Sequence, residues 1–179
     1  MPQTVGNDIS AGGSMKLRKF NIDKDFSSVS GWISDERTHA LWCANRMKFP
    51  LEKADMAEFL RYEEEKYSNK ALIAEDENGD AAGFFCCSPN AESGECMLKF
   101  VIIDPQRRGK GLGRKMAELA AEFAFESENA DAVQLMVFTC NTNAKKCYEK
   151  AGFTERSTTP DVFSYNGESW GRCNMVRFK

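Results

Sequence analysis

Histidine is nearly absent: His39 is the only one in 179 residues. That leaves little material for a histidine-based metal centre or a Ser-His-Asp triad, and no metal is expected. His39 itself reads as a partly exposed structural residue. There is no CxxC pair among the seven cysteines, and their number is odd. They read as free core thiols in a reducing compartment. Cys140 and Cys147 stand seven apart around a helix start, but their flanks offer no further zinc ligand. No apolar run approaches the ~20 residues that cross a bilayer. No N-terminal apolar segment suggests export, so a cytoplasmic protein without a membrane partner is expected. Positive charge is not in excess either. Lys and Arg total 24 against 27 Asp and Glu, for a net charge of −3. Such a chain is a poor grip for a nucleic-acid duplex.

Cations nevertheless cluster at one place. Arg107, Arg108, Lys110, Arg114 and Lys115 fall within nine residues. They surround Gly109, Gly111 and Gly113, which follow a short apolar strand and open a long helix. Glycine tolerates positive φ and lets an anion approach the backbone. The helix start adds unpaired N–H groups and the positive end of its dipole. This pattern suits a pyrophosphate cradle.

The rest of the chain falls into regular elements. Residues 1–14 are polar and aperiodic, an unstructured tail or expression remnant, with Met15 as a candidate natural start. Residues 15–179 read as one domain. A strand is expected at Lys16 to Phe20, then a helix capped by Asp23 and running toward Trp32 and Ile33. A loop near Ser34–Thr38 leads into a less clear stretch ending at Pro50. Residues 52–67 form an acidic helix with Met56, Phe59, Leu60 and Tyr67 on its apolar side. Its carboxylates, Glu52, Asp55, Glu58, Glu63, Glu64 and Glu65, could attract a cationic substrate but read first as a solvated face. A hairpin follows, with strands at Ala71–Ala74 and Ala81–Cys87 around the Asn78-Gly79 turn. Pro89 to Gly94 reads as a loop. Cys96 to Ile103 reads as a strand buried on both faces. Leu112, Met116, Leu119, Ala120, Phe123 and Ala124 make one helical stripe. A strand at Ala132–Phe138 and a helix at Asn141–Ala151 come next, the latter closed by Gly152. Residues 153–165 and 168–178 pair around Asn166-Gly167. The order is β-α-α-β-β-β-α-β-α-β-β, an α/β mixed sheet with helices on its faces.

Three loop chemistries compete, besides a plain strand–helix turn. A P-loop needs GxxxxGK[ST], and five residues on from Gly109, where its second glycine would stand, is Arg114. A dinucleotide fingerprint needs GxGxxG, whereas this loop is GxGxG. Asp131 lies about twenty residues on, as that fingerprint would want, but it stands alone. A second block favours the third chemistry: Asn141-Thr-Asn-Ala144-Lys-Lys-Cys-Tyr148-Glu-Lys-Ala-Gly152-Phe153. Together the blocks resemble the GNAT superfamily of acetyl-CoA-dependent N-acetyltransferases. The loop matches that family's Q/R-x-x-G-x-G/A signature twice, from Gln106 and from Arg108. The second block matches Asn-x-x-Ala-x-x-x-Tyr-x-x-x-Gly-Phe. The likeness covers about residues 15–178. The final stretch looks most like the branch holding spermidine and ribosomal-protein acetyltransferases.

The resemblance implies a mostly antiparallel sheet with a central parallel strand pair and helices on both faces. It implies acetyl-CoA as co-substrate, and direct acetyl transfer to a primary amine in a ternary complex. The acceptor would be a small-molecule amine or a peptide N-terminus, the protein a monomer or homodimer. The pantetheine arm would pair with a splayed strand at Val101, Ile102 and Ile103. The pyrophosphate would sit on the N–H groups of Arg108, Gly109, Lys110, Gly111, Leu112, Gly113 and Arg114. Asn141 would bind the pantetheine arm, and it also suits a helix N-cap. Tyr148 lies two turns further on the same face. A phenol can protonate the departing thiolate, and an aromatic here also suits simple packing. Glu95, Asp35, Glu36 or a water could deprotonate the amine. A non-catalytic acyl-CoA-binding module would need the loop but not Tyr148.

Overall fold

The structure is a computed structural model, and it describes residues 14–179. The expected tail, apart from Ser14, lies outside the described residues. The elements run β1 (Lys16–Lys19), α1 (Ile22–Trp32), α2 (Glu36–Cys43), α3 (Lys53–Tyr67), β2 (Lys70–Glu75), β3 (Ala81–Asn90), β4 (Glu95–Ile103), α4 (Leu112–Ser127), β5 (Ala132–Phe138), α5 (Thr142–Lys150), β6 (Thr154–Tyr165) and β7 (Glu168–Phe178).

The strands form one sheet in the order β1-β2-β3-β4-β5-β7-β6. Only β4 and β5 run parallel, joined by the α4 crossover. Each sheet face carries its own core. Leu98, Val133, Leu135 and Met175 pack with Met116, Ala120 and Ala124 of α4 on one face. Ile73, Phe84 and Ile102 pack with Val29, Trp32, Trp42 and Met56 of α1–α3 on the other. The stripe read along α4 is therefore its core face. No helix of the described residues is long and apolar enough to cross a membrane.

Several local expectations change. Asn21, not Asp23, caps α1: its side chain accepts from the N–H groups of Asp23 and Lys24. That leaves the Asp23 carboxylate in the first turn, where it faces the positive end of the dipole. The unclear stretch before Pro50 holds α2, capped by Asp35, so three helices rather than two precede β2. His39 lies on α2 and is buried, with Nδ1 3.2 Å from Asn45 Oδ1. Cys140 is exposed and Cys147 half-buried; the other five thiols are buried. In α3, Glu63 is not solvated but fully buried.

β4 is not buried on both faces. Cys96, Leu98, Phe100 and Ile102 are buried, whereas the residues between them are half-exposed. The strand also changes face midway. Phe84 pairs with Ile102 and Cys86 with Lys99, so Phe85 opposes both Phe100 and Val101. This is a bulge, and Phe100 adopts φ 51 there. Leu98 belongs to the α4-side core, but Phe100 and Ile102 belong to the opposite one. The extra residue has rotated the strand by one register.

Candidate active site

β4 and β5 pair only from Glu95 to Leu98 and from Ala132 to Leu135. β5 stays on β7 through Phe138. From Lys99 onward, the β4 edge that faced β5 therefore has no strand partner. Val101, Ile102 and Ile103 lie on this parted segment. Val101 and Ile103 pack against the α4-side core, and Ile102 points to the other face.

The chain leaves β4 through Asp104, which caps a 3-10 turn at Pro105–Arg107 by accepting from Gln106 N–H. It then enters the glycine loop. Gly109 and Gly111 have φ of 77° and 76°. A Cβ at either would meet nothing within 4 Å, so the space beside the loop is open. Gly111 occupies the N-cap position of α4 without a side-chain cap. None of the N–H groups from Gly109 to Arg114 finds a partner among the described residues. A row of free donors at a helix start, facing open space, fits a pyrophosphate. Arg108 and Lys110 are exposed beside it, and Leu112 packs on the core. Arg114 pairs with Glu118 at 2.7 Å.

Arg107 does not surround this space. It pairs with Asp76 in the β2–β3 turn and with Asp104 at 3.4 Å. Two carboxylates outcompete a solvated position, so Arg107 anchors the 3-10 turn instead. Gly113 also serves differently from its neighbours. It has no positive φ, and a Cβ there would lie 3.0 Å from Cys147 Sγ. Its lack of a side chain lets α5 dock against the start of α4.

α5 carries the second block. Asn141 caps it, with Oδ1 accepting from Ala144 N–H at 3.4 Å. The cap uses only the oxygen, which leaves the side-chain N–H₂ available. Tyr148 is half-buried and packs edge-on against Phe153, with ring centroids 6.1 Å apart. Its hydroxyl has no hydrogen-bond partner among the described residues. No buried side-chain polar atom is left unpaired, so that hydroxyl reaches solvent-accessible space. Burial of the ring, then the neighbouring Cys147, push the phenol pKa above its usual value.

Of the three carboxylates read as base candidates, Glu95 and Asp35 are already engaged. Glu95 accepts from Gln134 at 2.7 Å and from both Arg156 nitrogens at 2.8 and 3.1 Å. It lies six residues before Val101, about 20 Å along the strand. Asp35 accepts from Thr38 N–H at 2.8 Å and Thr38 Oγ1 at 2.7 Å. Those two bonds hold its carboxyl below the usual range. Glu36 is exposed and lines a cleft of about 490 Å³ with His39, Lys48, Phe49 and Tyr165.

Sequence reasoning missed what α2 does at this site. Trp42 Nε1 donates to the Phe100 carbonyl at 2.8 Å, fastening α2 to the bulge. At its other end Arg37 forks onto Glu168 at 2.6 and 3.1 Å. The Arg37 guanidinium also stacks 5.1 Å over Trp170. α2 thus links β4 to the start of β7, on opposite sides of the parted strands. The Asp35-x-x-Thr38 cap was the signal that could have revealed it.

Comparison with known proteins agrees with this geometry. The profile of the acetyltransferase (GNAT) family matches residues 35–153. A streptothricin acetyltransferase of Streptomyces lavendulae is 33% identical over 51% of this chain and 48% of its own. A spermidine N(1)-acetyltransferase of Vibrio cholerae is 33% identical over 37% of this chain and 39% of its own. The matches thus span about half the length of these relatives, or less. The fold is also that of the spermidine N-acetyltransferase from Vibrio cholerae in complex with CoA and spermine. That structure superposes with TM-score 0.78 at 20% identity, over 92% of this chain and 95% of the other. The chain belongs to the GNAT family of acetyltransferases.

Proposed function

We propose that residues 15–179 form an N-acetyltransferase domain that moves an acetyl group from acetyl-CoA to a primary amine. The observation that carries this reading is the parted β4 edge beside a row of free loop N–H groups. The loop donors and the positive end of α4 hold the pyrophosphate, with Arg108 and Lys110 adding charge. The β4 backbone at Val101 to Ile103 and the Asn141 amide align the pantetheine arm. Acetyl-CoA supplies the acetyl group as a thioester. Tyr148 holds a proton on an otherwise unbonded hydroxyl, ready for the departing thiolate. Its raised pKa keeps that proton in place across the physiological range. No side-chain base is assigned, because Glu95 and Asp35 are committed to other partners.

An amine acceptor is supported by the relatives, which are named for spermidine, streptothricin and aminoglycosides. Seven unpaired thiols suit a reducing compartment, and we place the protein in the cytoplasm. Binding tests the cofactor. Acetyl-CoA at 100 times its Kd should stabilise the fold by about 2.7 kcal/mol. NAD and ATP should shift the melting temperature far less. A shift with NAD and none with acetyl-CoA would overturn the assignment.

A further inference from the structure

The bulge lies just past the point where β4 parts from β5, and it is held in an uncommon conformation. Phe100 is not glycine, yet its φ is 51°. Such a residue persists only where its surroundings over-determine it. Here the surroundings converge on one carboxylate. Glu63 of α3 is 0% exposed. One of its oxygens accepts from Lys99 Nζ at 2.8 Å, and the other from Arg46 Nη2 at 2.5 Å. Lys99 immediately precedes Phe100 and is the first β4 residue past the pairing with β5. The Arg46 guanidinium covers the Phe100 ring at 5.5 Å and the Phe59 ring at 5.1 Å. Glu63 therefore ties together the residue before the bulge and the cation lying over it.

Burying a carboxylate is costly unless its partners are close and well aligned. Its neighbours Glu64 and Glu65 are exposed, so Glu63 alone of this run carries its charge into the interior. What the buried charge fixes is the backbone at Lys99 and Phe100. We infer that Glu63 is a positioning residue for acetyl-CoA: through Lys99 and Arg46 it sets the Phe100 bulge and keeps Val101 to Ile103 apart from β5. This rests on the acetyl-CoA reading above.

The test compares Glu63→Gln with Asp25→Asn. Asp25, in α1, is a second buried carboxylate, 2% exposed, which accepts from Arg18 Nη1 and Nη2 at 2.8 Å each. Both variants should melt earlier, since each removes the charge that partly exposed cations pair with and leaves a buried amide in its place. At a temperature where both are folded, Glu63→Gln should raise the acetyl-CoA Kd and KM about tenfold or more. Its kcat should stay within about threefold, because what is lost is binding shared by the ground and transition states. Asp25→Asn should leave the acetyl-CoA Kd unchanged. Hydrogen exchange on the ligand-free proteins gives an independent reading. Amides from Lys99 to Ile103 should exchange faster in Glu63→Gln alone. Where Glu63→Gln yields no folded protein, Lys99→Met removes one partner, keeps the stem, and should raise the Kd likewise. Wild-type Kd and exchange in Glu63→Gln, or in Lys99→Met if it stands in, would overturn the inference. So would equal Kd changes in Glu63→Gln and Asp25→Asn. A wild-type protein that binds no acetyl-CoA would sink the functional reading instead, and exchange would still decide whether Glu63 holds the bulge.

Discussion

Gly113, in the first turn of α4, faces the Cys147 thiol of α5 so closely that a Cβ on Gly113 would lie 3.0 Å from the sulfur. This contact joins the glycine loop to the helix bearing Asn141 and Tyr148. Both halves of the proposed site are thereby held in one geometry.

That contact predicts energetic coupling. Alanine is a better helix former than glycine by roughly 0.5–1 kcal/mol. Against the thiol, Gly113→Ala should lose that gain and cost about 1 kcal/mol through overpacking. In a Cys147→Ala background the same change should be stabilising. Denaturant unfolding of the four proteins measures the coupling. Additive effects would mean the two helices do not meet as described.

Gly111 is a different case, because its φ of 76° is occupied by few side chains and its Cβ would point into open space. Gly111→Val combines backbone strain with obstruction. Gly111→Asn separates them, since Asn tolerates the left-handed region. Both variants should bind acetyl-CoA at least about tenfold more weakly, while Gly111→Asn keeps close to wild-type stability. Calorimetry showing unchanged affinity in Gly111→Asn would make the loop a structural turn only.

These two glycines show why part of the site could be read from sequence. Positive φ and close helix contact both demand glycine, so the chain advertises them at fixed spacing. The Asn141…Phe153 block is equally visible, because one short helix carries it. The bulge left no such mark. Phe100 is neither Gly nor Asn, and its conformation is imposed by Trp42, Arg46 and Lys99. Glu63 was illegible for the same reason. It sits in a Glu-Glu-Glu run that resembles a solvated face, and its partners lie 17 and 36 residues away. Arg107 looked like part of the phosphate site until Asp76, 31 residues earlier, proved to hold it. Charges whose partners are distant in sequence cannot be sorted by spacing.

Tyr148→Phe removes one oxygen and keeps the ring on Phe153. Acetyl-CoA affinity should barely change, while kcat should fall about 10²–10⁴-fold. The pH profile adds a second check. With its pKa raised above the ordinary ~10, the phenol stays protonated through neutral and mildly alkaline pH. Loss of the Tyr148 proton should therefore cause no fall in wild-type kcat between about pH 7 and 9.5. A Phe variant with wild-type kcat would assign the proton to water.

Acetyl transfer itself is the most direct measurement. The wild-type protein is incubated with acetyl-CoA and a panel of polyamines, aminoglycosides, amino-acid derivatives and peptide N-termini. Mass spectrometry reads the acetylated amine, and a thiol reagent reads the CoA released. The account predicts at least one amine acetylated in equal amount to the CoA freed, with the reaction abolished or strongly slowed in Tyr148→Phe. Tight acetyl-CoA binding with no acetylated product from any amine in the panel would contradict it, and would identify a module that binds the cofactor without catalysis.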